Sequence, residues 1–211
     1  MKLAAVLAPL IDLIYPPRCP LCGDAIGAQS GLCGVCWALL EPAGTEDGIT
    51  AGVLYNDAAR DLVLAFKHGG KIALAPMLAR IVNTRVGKLE GDWLAVPVPL
   101  HRMRLWHRGY NQSALLAREL AKLSGAGLLV DGLKRTKATP MLGGLGRNER
   151  RAALVGAIVP NPARAAQIRG ANVLLVDDVL TSGATTDACS AALKQAGASK
   201  VRIACFARVS V

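Results

Sequence analysis

Apolar and polar positions along the chain fall into blocks whose period changes from strand-like to helix-like and back. The apolar run of Ile49–Tyr55 predicts a strand. Apolar residues then recur at helical spacing over Ala58–His68 and again over Ile72–Arg85, which predicts two helices. Leu94–Pro97 reads as a second strand. Gln112–Leu123 sets Leu115, Leu116, Leu120 and Leu123 about a turn apart and predicts an amphipathic helix. Val173–Val176 contains only Val and Leu, the pattern of a strand covered on both faces. A helix over Thr185–Ala196 and a closing strand over Val201–Ala207 follow. Strands alternating with helices predict an α/β fold, a parallel sheet flanked by helices.

Two stretches stand outside this alternation. Leu3–Tyr15 behind Lys2 has the look of a secretion signal, but Pro9 and Asp12 interrupt it, and a short amphipathic helix docked on the next module is expected. Residues 41–48 are polar, acidic and rich in Pro and Gly, and read as a linker. The expected division is therefore a small module over residues 1–48 and a larger domain over 49–211. With 52% hydrophobic and 19% charged residues, a disordered chain is excluded. No apolar run reaches the roughly 18 residues of a spanning helix, so the chain reads as cytoplasmic with no membrane span.

The small module carries four of the six cysteines. Cys19 and Cys22 form one CxxC and Cys33 and Cys36 another, ten residues apart. Paired CxxC turns suit four thiolates around one tetrahedral Zn²⁺, a closed structural site with no open position for catalysis. Disulfides are the competing reading, with a redox-active pair behind them; nothing in the sequence indicates the export that disulfides require. Gly23 follows Cys22 and Gly34 follows Cys33, where tight turns need a permissive backbone. Cys189 and Cys205 sit in apolar surroundings and are expected to be inert buried thiols.

The charge is lopsided. The chain has a formal net charge of +10, and residues 102–151 hold eleven basic side chains against three acidic ones. Such a segment predicts a polyanionic partner, though a merely solvated basic surface is the common alternative. A matching anion site is legible further on. The strand Val173–Val176 runs into Asp177 and Asp178, then into Thr181, Ser182, Gly183, Ala184 and Thr185 at the start of a helix. Hydroxyls, a glycine and free N–H groups at a helix N-terminus suit a phosphate monoester. The two carboxylates suit ribose hydroxyls or a shared Mg²⁺. A sugar phosphate fits both halves. A core strand ending in a turn with a helix cap is the plainer reading of the same residues.

At this point the sequence resembles a known family. Val173–Thr185 is similar to the phosphoribosyl-pyrophosphate (PRPP) binding motif of type I phosphoribosyltransferases. The whole chain resembles the ComF group, which is associated with DNA uptake in competence. Its double CxxC, Phe66-Lys67, Val96–Leu100 and the Arg108–Gln112 stretch all appear in the group's order. The resemblance implies a type I phosphoribosyltransferase-like domain behind a zinc ribbon. It implies that Asp177 and Asp178 hold the ribose hydroxyls with Mg²⁺, and that Thr181–Thr185 surround the 5′-phosphate. His101, Arg102, Arg104 and Arg108, in the turn after Pro97, would approach the pyrophosphate, with Arg102 and Arg108 in the catalytic set. Segment 134–151, with Gly143, Gly144 and Gly146, would close over the site. Relatives usually show a Gln, an Asn and a closing Phe thereabouts; this chain has Leu142, Ala153 and Ile158. Histidine acid–base candidates are few: His68, His101 and His107. The resemblance implies a PRPP- and Mg²⁺-dependent transferase acting on a nitrogen acceptor. Its alternative is a non-catalytic module of DNA uptake that contacts single-stranded DNA or a DNA helicase, for which Trp106 and Tyr110 lie in the basic stretch.

Overall fold

The computed structural model describes residues 16–28, 31–46, 48–68, 70–137 and 154–210. The expected helix over Leu3–Tyr15 and most of the expected closing segment 134–151, including Leu142, Arg147, Arg150 and Arg151, lie outside the described residues, as does Ala153.

In chain order the elements are α1 (Gly34–Ala38), β1 (Thr45–Glu46), β2 (Ile49–Leu54), α2 (Asp57–Lys67), α3 (Ala75–Val86) and β3 (Trp93–Pro97). There follow α4 (Arg102–Arg108), α5 (Gln112–Ser124), β4 (Gly127–Leu128), β5 (Leu133–Arg135), β6 (Ile158–Pro160) and α6 (Ala165–Ile168). The chain closes with β7 (Asn172–Leu180), α7 (Ala184–Gln195) and β8 (Lys200–Arg208). The main sheet has the order β1-β2-β8-β7-β3-β4 and is parallel except for β1; β5 and β6 form a separate antiparallel ribbon.

Local chemistry fixes the helix boundaries. The Asn56 side chain accepts the Ala59 N–H at 3.0 Å and starts α2, with Asp57 in the first turn and Lys67 in the last, as the helix dipole favours. The helix expected over Ile72–Arg85 is divided: Ile72–Leu74 is a single 3₁₀ turn, and Pro76 sits where α3 begins, the position a proline tolerates. Asn111 caps α5 by accepting the Ser113 N–H at 3.0 Å, and Gly125 ends it in the left-handed region at φ 85°.

The sheet separates two apolar layers. Leu174 and Val176 of β7 pack with Leu62 and Phe66 of α2, Leu78 of α3 and Leu116 and Leu120 of α5. Val173 and Leu175 point the other way, to Cys189 and Leu193 of α7 and Ile158 of β6. Burial on both faces accounts for the unbroken Val/Leu run, and each fully buried Leu adds about 1.5–3 kcal/mol of apolar transfer. Cys189 and Cys205 are fully buried, and burial pushes the Cys205 thiol up to about 12, as befits inert core residues.

Three further sequence expectations change. Strand β7 does not stop at Val176 but continues through both aspartates to Leu180, because β8 is long enough to pair with it up to Arg208. The turn after Pro97 is only four residues, since the His101 side chain caps α4 and carries the arginines onto a helix. The linker is no free connector: Glu41, Ala43 and Gly44 exchange backbone hydrogen bonds with β2 at 2.8–3.4 Å, and β1 pairs with it.

Candidate functional site

The carboxyl ends of the parallel strands form a step. β3 pairs with β7 only as far as Pro97↔Val176; Val98 donates its N–H to the Val176 carbonyl at 2.9 Å, and the chain then turns away. β3 leads through α4 and α5 toward β4 at the sheet's edge, whereas β7 leads through α7 to β8 on its other side. Helices α5 and α7 cover opposite faces, so the gap between β3 and β7 is a topological switch point, where open α/β sheets bind ligands.

Asp177 and Asp178 stand in that gap. With β3 gone, the Asp178 N–H is taken up by Asp177 Oδ1 at 2.9 Å, and the same oxygen accepts the Ser113 hydroxyl at 3.0 Å. The Asp178 side chain is 5% exposed and faces α5, where Gln112 Nε2 donates to its Oδ1 at 3.4 Å. Its Oδ2 lies 2.5 Å from Lys67 Nζ, a charge contact that lacks hydrogen-bond angles. Burial, and then the adjacent Asp178 carboxylate, push the Asp177 carboxyl up to about 8.

The stretch Arg108–Gln112 braces this pair residue by residue. Arg108 Nη1 donates to Gln112 Oε1 at 2.6 Å and so orients the amide that reaches Asp178. Gly109 ends α4 in the left-handed region at φ 78°, where a side chain would be strained. The Tyr110 hydroxyl donates to the Phe66 carbonyl and pins the end of α2. Asn111 Nδ2 donates to the Val98 carbonyl at 3.0 Å. Between α2 and α4 lies a cavity of about 350 Å³ lined by Lys67, Arg104, Arg108 and Tyr110 among others.

On the far side of the pair, Gly183 takes φ 77° ahead of α7, and Thr186 Oγ1 donates to the Gly183 carbonyl at 2.8 Å. Thr181, Ser182 and Gly183 line a second cavity of about 440 Å³, together with Arg208 and Glu46, which are paired at 2.5 Å. Asp178 reaches the first cavity through Lys67 and through Gln112 and Arg108, and Arg104 lines it as well; Asp177 and Asp178 themselves line neither cavity, and Thr181, Ser182 and Gly183 line the second. Arg102 is exposed on α4 and lines neither cavity. Sequence reasoning gave no role to Lys67, Gln112 or Ser113; the available signal was polar residues opening the apolar pattern of α5, and a lysine ending α2. Of the expected closing segment, Lys134 and Arg135 lie in β5, and Ile158 is buried in β6 opposite Arg135.

The cysteine module forms a second centre. The sulfurs of Cys19, Cys22, Cys33 and Cys36 all lie within 4.8 Å of one another, and Cys22 and Cys33 are 3.5 Å apart. All four are free thiols. These spacings exceed a disulfide bond of about 2 Å and fit the roughly 3.8 Å edge of a tetrahedral Zn–S site. Gly23, at φ 82°, lets the first knuckle fold back, with the Cys19 N–H on the Asp24 carbonyl at 2.7 Å. Gly34 opens α1 instead of forming a left-handed turn. Burial opposes ionisation of Cys19, but the backbone at Cys22, Cys33 and Leu21 lowers its thiol pKa, while burial and the neighbouring thiols push Cys22 and Cys36 up. The four cysteines therefore fit zinc, which would be structural. Among the described residues, no helix is long and apolar enough to cross a membrane.

Comparison with known proteins gives a family match over each part of the chain. A family profile described as Double zinc ribbon domain matches residues 10–47, and one described as Phosphoribosyl transferase domain matches residues 114–210. Competence protein F of Haemophilus influenzae is 29% identical over 198 residues, covering 91% of this chain and 85% of its own. DNA utilization protein YhgH of Salmonella typhi is 30% identical over 196 residues, covering 90% and 83%. Competence protein ComFC of Streptococcus pneumoniae is 28% identical over 148 residues, covering 70% and 62%. With a double zinc ribbon, a phosphoribosyl transferase domain and relatives aligned along nine-tenths of its length, the chain belongs to the ComF family.

Proposed function

We propose that the chain binds PRPP at the step between β3 and β7 and transfers its phosphoribosyl group to a nitrogen nucleophile, releasing pyrophosphate. The observation that carries this reading is the acidic pair, standing between a small-residue loop at a helix N-terminus and a cavity lined by cations. In it, Asp177 and Asp178 accept the ribose hydroxyls, and Thr181, Ser182, Gly183, Ala184 and Thr185 surround the 5′-phosphate with N–H and hydroxyl donors. Arg104 and Arg108 stabilise the charge that develops on the departing pyrophosphate. Mg²⁺ fits the same place, because it takes one or two carboxylates and completes its shell with phosphate oxygens and water. The thiolate site suits a reducing compartment, and we place the protein in the cytoplasm.

A second reading rests on α4. Trp106 is 78% exposed and Met103 52%, on the helix that also carries Arg102 outward. Relatives named for competence and DNA utilization support DNA involvement, and on this reading single-stranded DNA or a DNA helicase is the proposed partner of that surface. Titration with Mg²⁺-PRPP, followed by pyrophosphate release with a panel of bases, tests the first reading. Asp177→Asn/Asp178→Asn should abolish measurable binding while preserving the fold; undiminished PRPP affinity in that variant would defeat it. DNA binding that ignores saturating PRPP but falls on Trp106→Ala would favour the second.

A further inference from the structure

The Lys67–Asp178 contact lies outside the stretch that matches the phosphoribosyl transferase domain on one side and inside it on the other. It does not look like a permanent structural ion pair. A buried pair is stabilising only when good hydrogen bonds complete it, and this one is close without the angles of a hydrogen bond. The Lys67 side chain is a quarter exposed, at 25%, against 5% for Asp178, and it lines the cavity that Arg104 and Arg108 also line. Lys67, Arg104 and Arg108 bring three like charges to a cavity of about 350 Å³, where they repel one another. An anion of two phosphates in the cavity would offset all three, and the volume falls within the roughly 300–1,000 Å³ of small-molecule sites.

The geometry points to Lys67 as a shared cation. We propose that it neutralises Asp178 in the free protein and turns to the ligand's diphosphate when the cavity between α2 and α4 fills, releasing Asp178 to the ribose. This rests on the PRPP reading and adds a residue to it. Lys67 is well held for such a switch: its backbone is fixed by fully buried Phe66 and by the Tyr110 hydroxyl on the Phe66 carbonyl, leaving only its flexible stem to move. Gln112, oriented by Arg108, keeps Asp178 Oδ1 in place when the lysine leaves.

A double-mutant cycle read by calorimetric titration of the full-length, zinc-loaded protein with inorganic pyrophosphate tests the exchange. Lys67→Met should weaken pyrophosphate about tenfold, the worth of one charge-assisted contact. Asp178→Asn should tighten it severalfold, because the lysine no longer has to leave a carboxylate. In the double variant that gain should vanish. If Lys67→Met alone strands the buried carboxylate and fails to fold, the charge-balanced double variant is compared with Asp178→Asn, and the loss there should exceed tenfold by the factor that Asp178→Asn gained. Pyrophosphate affinity unaltered by loss of Lys67, or equal tightening by Asp178→Asn in both backgrounds, overturns the proposal. Titration of the unmodified protein with ribose 5-phosphate and with PRPP separates the two failures. Binding of both with an additive cycle sinks only the lysine exchange; a coupled cycle without either ribose ligand sinks only the PRPP reading.

Discussion

Replacing Asp177 by Asn removes a carboxyl that the fold holds in an unfavourable setting for charge, and the consequence is a stability profile with a defined slope. Burial, followed by the neighbouring Asp178 carboxylate, raises the Asp177 pKa to about 8. In the unfolded chain the same group titrates near its ordinary value of about 3.9. Between those two values the folded protein keeps a proton that the unfolded chain has lost, so stability falls as pH rises. One proton of difference corresponds to at most about 1.4 kcal/mol per pH unit. From pH 5 to pH 7 this group therefore removes as much as about 3 kcal/mol, and Asp177→Asn should lack that decline. The assay is urea unfolding of both proteins at pH 5, 6, 7 and 8, read as the difference between them so that the pH dependence of zinc binding cancels. The variant should gain on the parent steadily up to about pH 8, with no further gain above it. The amide can still accept the Ser113 hydroxyl and the Asp178 N–H, so local geometry persists. Parallel profiles over this range would refute the argument that Asp177 keeps its proton in the folded protein.

Two further outcomes follow from separate parts of the chain. Purified protein should carry one zinc per chain by elemental analysis, and Cys22→Ser should lose it while the circular dichroism of the main sheet and its helices survives; metal retained by that variant would rule out the four-cysteine site. Gly52→Ala should cost about 1–3 kcal/mol in urea unfolding, because a Cβ there would lie 2.9 Å from Ile81 Cγ2 and 3.1 Å from the Phe206 carbonyl oxygen; a change below about 0.5 kcal/mol would mean that α3 shifts off β2 without strain.

Most of the architecture was legible because long periodic segments report burial directly. The Val/Leu run of β7, the leucine spacing of α5 and the doubled CxxC each state a local requirement that only one environment meets. Strand length was not legible. The polarity of Asp177 and Asp178 reads as the end of a strand, and only the length of β8 beside them keeps the strand going. The arginines after Pro97 looked equivalent in sequence, yet the helix begun by His101 turns Arg104 and Arg108 to the cavity and Arg102 to solvent. Phe66-Lys67 was marked by the resemblance but without a role, since a lysine in the last turn of a helix is explained well enough by the dipole. Its partner is more than a hundred residues away, and only the fold brings them together.

The segment running beside β2 bears on how the protein can be cut. Residues 41–46 cover the backbone edge of β2, and the Glu46–Arg208 pair fastens that cover to the end of β8. A truncated chain beginning at residue 49 would keep every element from β2 to β8, but it would lay bare a six-residue strand whose Ala51 and Val53 are buried. An uncovered apolar edge of that kind is a template for pairing with another molecule. Expression of residues 49–211 alone should therefore yield aggregates where the full chain yields monodisperse protein. The acidic Pro/Gly stretch, which resembles a dispensable tether, acts as the sheet's guard against self-association.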